Sequence, residues 1–225
     1  MKIEKQTHPG ARQLLICFAG WSVSPELFRP IKTEGEKEET DLWICYDYRD
    51  LSFPEEPATY ETVRIVAWSL GVWVAEQVFR QKPDVFGRGV KSAIALNGTG
   101  RPIDDLYGIP EALFEGTLQH LTTEGIRRFT RRMCGNRAIL ADYLQVPSRP
   151  LDEISEELHF LYKEIKRTSE ASSFPWTGAI LSADDRIFPP DNLRRYWEGR
   201  CAWREIEAPH YPFYRWKQWN ELWKQ

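Results

Sequence analysis

The pentapeptide Ala67-Trp68-Ser69-Leu70-Gly71 carries the sharpest chemical signal in the chain. It follows the apolar run 63–68 and opens the amphipathic stretch Leu70–Gln81, which is the strand-turn-helix setting of a nucleophile elbow. A turn that tight forces the serine into strained backbone geometry. It also requires small residues two before and two after, where the strand and helix backbones nearly touch. Ala67 and Gly71 hold those places, and the alanine adds only one methyl to the usual glycine. Taken alone, the five residues suit a serine N-cap on an ordinary strand-to-helix turn equally well. The two readings separate on whether the rest of a proton relay follows.

A serine hydroxyl needs a base, and the base needs an acid to orient it. Behind such an elbow the chain order is serine, then Asp or Glu, then His. Asp185 stands just after the apolar segment 177–182, and His210 just after segment 202–206, so Ser69, Asp185 and His210 meet both order and placement. Order alone does not exclude the neighbouring Asp184. Asp185 is preferred because it precedes an apolar turn, Ile187-Phe188-Pro189, that lets the loop bend toward the histidine. Asp191 is assigned to capping the next helix. His8 lies in a polar start, and His120 and His159 fall in helical stretches. The relay also needs donors for an oxyanion. The backbone N–H after the nucleophile, Leu70, is one; the loop Ala19-Gly20-Trp21 after the first central strand offers the N–H of Trp21 as the second.

These residues require a scaffold of alternating strands and helices. Short apolar runs at 13–19, 42–46, 63–68, Val90–Leu96, 177–182 and 202–206 read as buried strands. Helical periodicity covers Leu70–Gln81, 191–197 and 214–223, the last placing Trp216, Trp219 and Trp223 near one side. The alternation predicts an α/β fold with a mostly parallel sheet. Segment 101–174 breaks the rhythm with three or four helical patterns, the best at 124–133 and 151–166, and no clear strand. It reads as a helical cap inserted into a core formed by residues 1–100 and 175–225. The charged run 32–40 reads as a surface loop.

Composition sets further bounds. A chain of 225 residues with 42% hydrophobic and 28% charged residues has material for a sizeable core. Thirty basic against 33 acidic side chains leave a net charge of −3, which argues against a dedicated nucleic-acid binder. No apolar run approaches the roughly 20 residues needed to span a bilayer. The polar start has no signal-peptide core, so a cytoplasmic location is expected. Cys17, Cys45, Cys134 and Cys201 are far apart and suggest neither a zinc site nor a disulfide framework. No phosphate-binding or dinucleotide fingerprint occurs, and no cofactor is expected.

Several longer strings occur in order: Phe18-Ala19-Gly20-Trp21, Cys45-Tyr46-Asp47-Tyr48-Arg49-Asp50, Ala67 to Ala75, Asn97-Gly98-Thr99-Gly100, Gly108-Ile109-Pro110, Arg131-Arg132-Met133-Cys134-Gly135, Asp185-Arg186-Ile187-Phe188 and Glu207 to Tyr211. Together they resemble the BioG-type pimeloyl-[acyl-carrier protein] methyl ester esterases, over nearly the whole chain. The resemblance implies an α/β-hydrolase fold with a serine triad. It implies as substrate the methyl ester of a pimeloyl chain, thioester-linked to the phosphopantetheine arm of acyl carrier protein, on the route to biotin. BioH-type esterases do the same work with glycine at the place of Ala67 and histidine at that of Ala19. By resemblance to their caps, Phe129 and Met133 would face the acyl chain; the simpler alternative is that they pack the cap onto the sheet. The chain reaches its first core strand within about a dozen residues, so the leading antiparallel strands of larger hydrolases are expected to be shortened or missing.

Carrier proteins are acidic, and Arg127, Arg128, Arg131 and Arg132 form two i, i+4 pairs on neighbouring faces of one cap helix. Two readings stay open. The arginines dock the carrier protein, or they form a solvated face with some of them paired to Glu153, Glu156 or Glu157. The activity also has rivals: a small-ester, thioester or C–C bond hydrolase using the same triad, or a non-catalytic binding module.

Overall fold

A computed structural model describes residues 1–33, 40–86, 89–168 and 173–223. Most of the expected loop 32–40 lies outside the described residues. Seven strands form one sheet in the order β1-β3-β2-β4-β5-β6-β7. They are β1 (Lys2–Gln6), β2 (Gln13–Phe18), β3 (Thr40–Tyr46), β4 (Thr62–Trp68), β5 (Val90–Leu96), β6 (Gly178–Ser182) and β7 (Trp203–Ile206). All neighbours pair in parallel except β1, which runs antiparallel to β3 at one edge. This is the α/β architecture expected from the sequence, with one antiparallel strand, β1, ahead of the parallel ones.

The central strands are continuous apolar runs because helices or loops cover both of their faces. In β2, Leu14 through Phe18 are all 1% exposed or less. β1 carried no such signal. Its sequence, Lys-Ile-Glu-Lys-Gln, is half-exposed, and an edge strand needs only backbone bonds on one side and a partly buried Ile3.

Helix α1 (Leu70–Gln81) packs against β2 and β4 and holds the start of the elbow. Between β5 and β6 the chain forms α2 (Glu111–Leu118), α3 (Thr123–Cys134), α4 (Arg137–Tyr143) and α5 (Leu151–Arg167); α6 (Pro190–Trp197) separates β6 from β7. Asp191 lies inside the first turn of α6, where it pairs with Arg194 rather than capping the helix.

One expected helix does not form. Residues 214–223 give two short 3₁₀ turns, Phe213–Arg215 and Trp219–Leu222, separated by the extended residues Trp216 and Gln218. The segment bonds instead with Lys32, whose N–H meets Lys217 O at 2.9 Å and whose carbonyl accepts from Trp219 N at 3.0 Å. Glu221 caps the second turn by accepting from the N–H groups of Lys217 and Gln218. The aromatics still dock, with Phe213 and Trp219 lying 4.9 and 5.9 Å from Phe28.

An ion cluster ties the helical insertion to the sheet. Asp47, at the end of β3, receives Arg49, Lys2 and, from the insertion, Arg149 at 2.9 Å. Arg149 also pairs at 2.7 Å with Glu157, which is fully buried and accepts from Tyr48 N at 2.9 Å. The carboxylates Glu153, Glu156 and Glu157 are therefore taken by Lys2, Arg49 and Arg149, not by the arginines of α3. Burial pushes the Asp47 carboxyl upward, but hydrogen bonds from Arg49 and Lys2 and the charge of Arg149 outweigh it and hold it at about 2. A carboxylate depressed in the folded state stabilises fully above its unfolded value of about 4, and that contribution is lost as pH falls toward 2. Urea midpoints measured from pH 6 down to pH 2 should fall steeply below about pH 4 in the wild type. In Asp47→Asn the same limb should be flatter, from a lower plateau.

Candidate active site

Ser69 links β4 to α1 in a conformation that few side-chain-bearing residues adopt, φ 59° and ψ −128°. The turn closes because Gly71 lets α1 approach β2: a methyl there would stand 2.2 Å from Phe18 O. Gly20 sits in looser but still close contact, since its added methyl would lie 3.1 Å from Trp68 Cε3 and 3.3 Å from Ser69 Cβ. The loop after β2 is thereby pressed against the serine, and Ala67 is fully buried at its place in β4.

The side chains singled out by chain order meet. His210 Nε2 stands 3.0 Å from Ser69 Oγ, and His210 Nδ1 stands 2.7 Å from Asp185 Oδ2. All three are buried, with Ser69 the most accessible at 6%. The other oxygen of Asp185 accepts from Ile187 N at 2.7 Å and Phe188 N at 2.9 Å, which is what the apolar turn after the acid provides. Asp184 is exposed. His120, in the turn after α2, bonds Gly116 O of that helix, His159 bonds Ser155 O within α5, and His8 lies beside Asp41. The His210 ring is flanked by Phe188, stacked at 5.9 Å, and by Trp68 at 5.4 Å. A hydroxyl, an imidazole and a carboxylate in this line can deliver an activated oxygen nucleophile and return its proton to a leaving group.

Ser69 and His210 line a narrow cavity of about 40 Å³. Its walls include Trp21, Leu70, Phe129 and Met133, so both expected oxyanion residues and both expected acyl-facing residues border it. The Leu70 N–H begins α1, where no intrahelical acceptor exists. The Trp21 indole donates to Ile154 O at 2.9 Å and meets Phe129 edge-on at 5.0 Å, anchoring the insertion over the cavity. Trp73 is core, whereas Trp68 is buried and also lines the cavity.

Sequence reasoning missed further wall residues: Ile109, Phe114, Thr117, Leu158 and Arg186. Arg132 and Arg186 belong both to this cavity and to an adjoining open groove, which Arg128, Arg131 and Arg137 also line. No carboxylate lines either space among the described residues. Arg127 is not among the groove's lining residues and borders a different depression; among the described residues its acidic partner, like that of Arg131, is the distant Glu124, at 3.9 and 3.8 Å. Helix α3 also braces the histidine loop. Met133 O accepts from Tyr211 N at 3.0 Å, and a methyl on Gly135 would stand 2.7 Å from Pro209 Cβ.

Known proteins resemble this chain over most of its length. The family model described as "Pimeloyl-ACP methyl esterase BioG" matches residues 1–222. The crystal structure of BioG from Haemophilus influenzae superposes with a TM-score of 0.92 at 42% identity, covering 100% of both chains. A Bacteroides fragilis protein named malonyl-[acyl-carrier protein] O-methyltransferase is 40% identical over 206 residues, which is 90% of this chain but only 40% of that protein. At the level of fold alone, the α/β hydrolase MGS-M2 from a Medee basin deep-sea metagenome library aligns with a TM-score of 0.62 at 13% identity, over 95% of this chain and 88% of its own. No helix among the described residues is long and apolar enough to cross a membrane. With the family model spanning nearly its full length, this chain belongs to the BioG family and is an ester hydrolase of the α/β-hydrolase fold.

Proposed function

We propose that this chain is a serine esterase of biotin synthesis that hydrolyses the methyl ester of pimeloyl-[acyl-carrier protein], releasing methanol. The observation that carries the reading is the Ser69–His210–Asp185 line at the floor of an apolar cavity whose mouth opens onto an arginine groove. Ser69 Oγ attacks the ester carbonyl while His210 Nε2 takes its proton. Asp185 orients the imidazole and stabilises its protonated form. The N–H groups of Leu70 and Trp21 receive the tetrahedral oxyanion. His210 then protonates the departing methoxide and activates the water that frees the acid.

The acyl chain lies along Phe129 and Met133 under residues 101–174, which act as a cap on the hydrolase core. The acidic carrier protein docks on the arginine face, with Arg128, Arg131 and Arg132 turned to the groove and Arg127 beside it. Charge complementarity of this kind supports docking of an acidic partner on an otherwise acidic enzyme. The Bacteroides fragilis relative adds support: a segment like this chain occupies 40% of a protein named for methylating a carrier-bound acid, the reverse change at the same kind of group.

The test compares the carrier-linked methyl ester with p-nitrophenyl acetate. Reversal of Arg128 and Arg131 to Glu, which leaves the cavity wall untouched, should raise KM for the carrier-linked ester about tenfold, equivalent to about 1.4 kcal/mol. The small ester should be unaffected. Equal effects on both would remove the docking role, and faster turnover of the small ester would favour a general esterase.

A further inference from the structure

His210 has to cross the sheet to reach Ser69. It follows β7, whereas Ser69 ends β4, three strand spacings or about 14 Å away. Strands β5 and β6 lie between them, so the histidine loop passes over their C-terminal ends. Asn97, the first residue after β5, stands at that crossing. It is fully buried and adopts a left-handed backbone conformation, φ 45°. The residue before it holds the elbow, as Leu96 O accepts from Ser69 N at 2.9 Å. Its own N–H bonds to Ile180 O of β6 at 3.1 Å.

The Asn97 side chain joins the two loops that carry the remaining partners. Its Nδ2 donates to His210 O at 3.0 Å and to Ser182 Oγ at 2.7 Å, and its Oδ1 accepts from Ser182 N at 2.7 Å. Ser182 ends β6, three residues before Asp185. The chemistry of the partners fixes the amide orientation, because a backbone carbonyl only accepts and a backbone N–H only donates. A carboxylate has no donor for His210 O, and an alkyl group serves neither partner. A carboxamide at this reach satisfies both. Among the described residues the other donor to His210 O is the Trp68 indole at 2.9 Å, so losing Asn97 leaves that carbonyl with a single hydrogen bond.

We propose that Asn97 is a positioning residue: it fixes the distance between the acid loop and the histidine loop, and so holds the imidazole in line with Ser69 Oγ. This rests on the reading of Ser69, Asp185 and His210 as the catalytic relay. The effect is on the reacting geometry and not on the cavity walls, because Asn97 does not line the cavity.

The experiment measures kcat and KM for the carrier-linked methyl ester in Asn97→Ala and Asn97→Asp, with thermal unfolding alongside. Displacing a reacting group by about 1 Å can cost about 10²-fold, so kcat should fall by about that factor while KM stays within about twofold. Asn97→Asp keeps the shape and the acceptor for Ser182 N but sets a second acceptor against His210 O. It should show the same loss and decides alone if Asn97→Ala does not fold. A kcat near wild type, a change confined to KM, or failure of both variants to fold overturns the proposal; the last outcome would give Asn97 a purely structural role. A serine-reactive fluorophosphonate separates this from failure of the relay itself. If it labels Ser69 in the wild type while the Asn97 variants turn over normally, only the positioning role is lost. If Ser69 is not labelled, the relay reading is lost.

Discussion

Ser69→Ala should lower kcat on the carrier-linked methyl ester by about 10⁴–10⁶-fold and leave the melting temperature close to wild type. The range follows from how a relay works. Once the nucleophile is gone, His210 and Asp185 have nothing to activate, and what remains is oxyanion stabilisation and binding. The Ser69 side chain is nearly buried, yet its one hydrogen bond among the described contacts is to His210, so its removal costs the fold little. Methanol release, followed by a coupled oxidase assay, measures the first quantity and calorimetry the second. Turnover at the wild-type rate would sink the assignment of Ser69. Equal loss of activity and of folded protein would mean that the serine is only a strained turn residue.

The largest effect on stability is expected at Arg149, far along the sequence from the relay. Arg149→Met should destabilise the protein by about 3–5 kcal/mol, because it strands a fully buried carboxylate, Glu157. Burial already pushes the Glu157 carboxyl up, against the opposing pull of Arg149 and the Tyr48 N–H. Without the guanidinium the larger part of that opposition is gone, and the folded state holds a proton on Glu157 that the unfolded chain releases above about pH 4.3. A group raised in the folded state loses its stabilising advantage as pH rises, so the variant should be more stable at pH 5 than at pH 8. Arg149→Met combined with Glu157→Gln should recover most of the loss, since glutamine keeps an acceptor for Tyr48 N and removes the orphaned charge. Urea titrations of the single and double variants at both pH values measure this. A double variant as unstable as Arg149→Met would show that packing of the arginine stem, and not charge, sets the stability.

Which features could be read from sequence follows from where the determining contacts lie. Runs such as Leu14–Phe18 declare themselves because strands covered on both faces must be apolar throughout. Ser69, Asp185 and His210 could be placed because the elbow has local steric demands and the partners obey a chain order. β1 could not be found, since an edge strand takes its hydrogen bonds from a neighbour and shows no apolar run. Residues 214–223 misled because tryptophans spaced for one helix face also suit two separate turns docked on Phe28, and the decisive bonds to Lys32 come from the other end of the chain. Asn97 stood in plain view after an apolar strand, but its task lies in joining Ser182 and His210, from two other segments, and no local pattern marks such a task. The convergence of Arg132 and Arg186 at the cavity mouth was hidden for the same reason.

Helix α3 lines the groove along its length and rests its C-terminal end against Pro209 and Tyr211. It links the proposed docking groove to the loop of His210, the proposed general base. On that proposal, recognition and turnover are not separable modules in this architecture. A graft that swaps the arginine helix for one of different selectivity must also reproduce the buttress at Met133 and Gly135, or the new specificity will arrive with a slower enzyme.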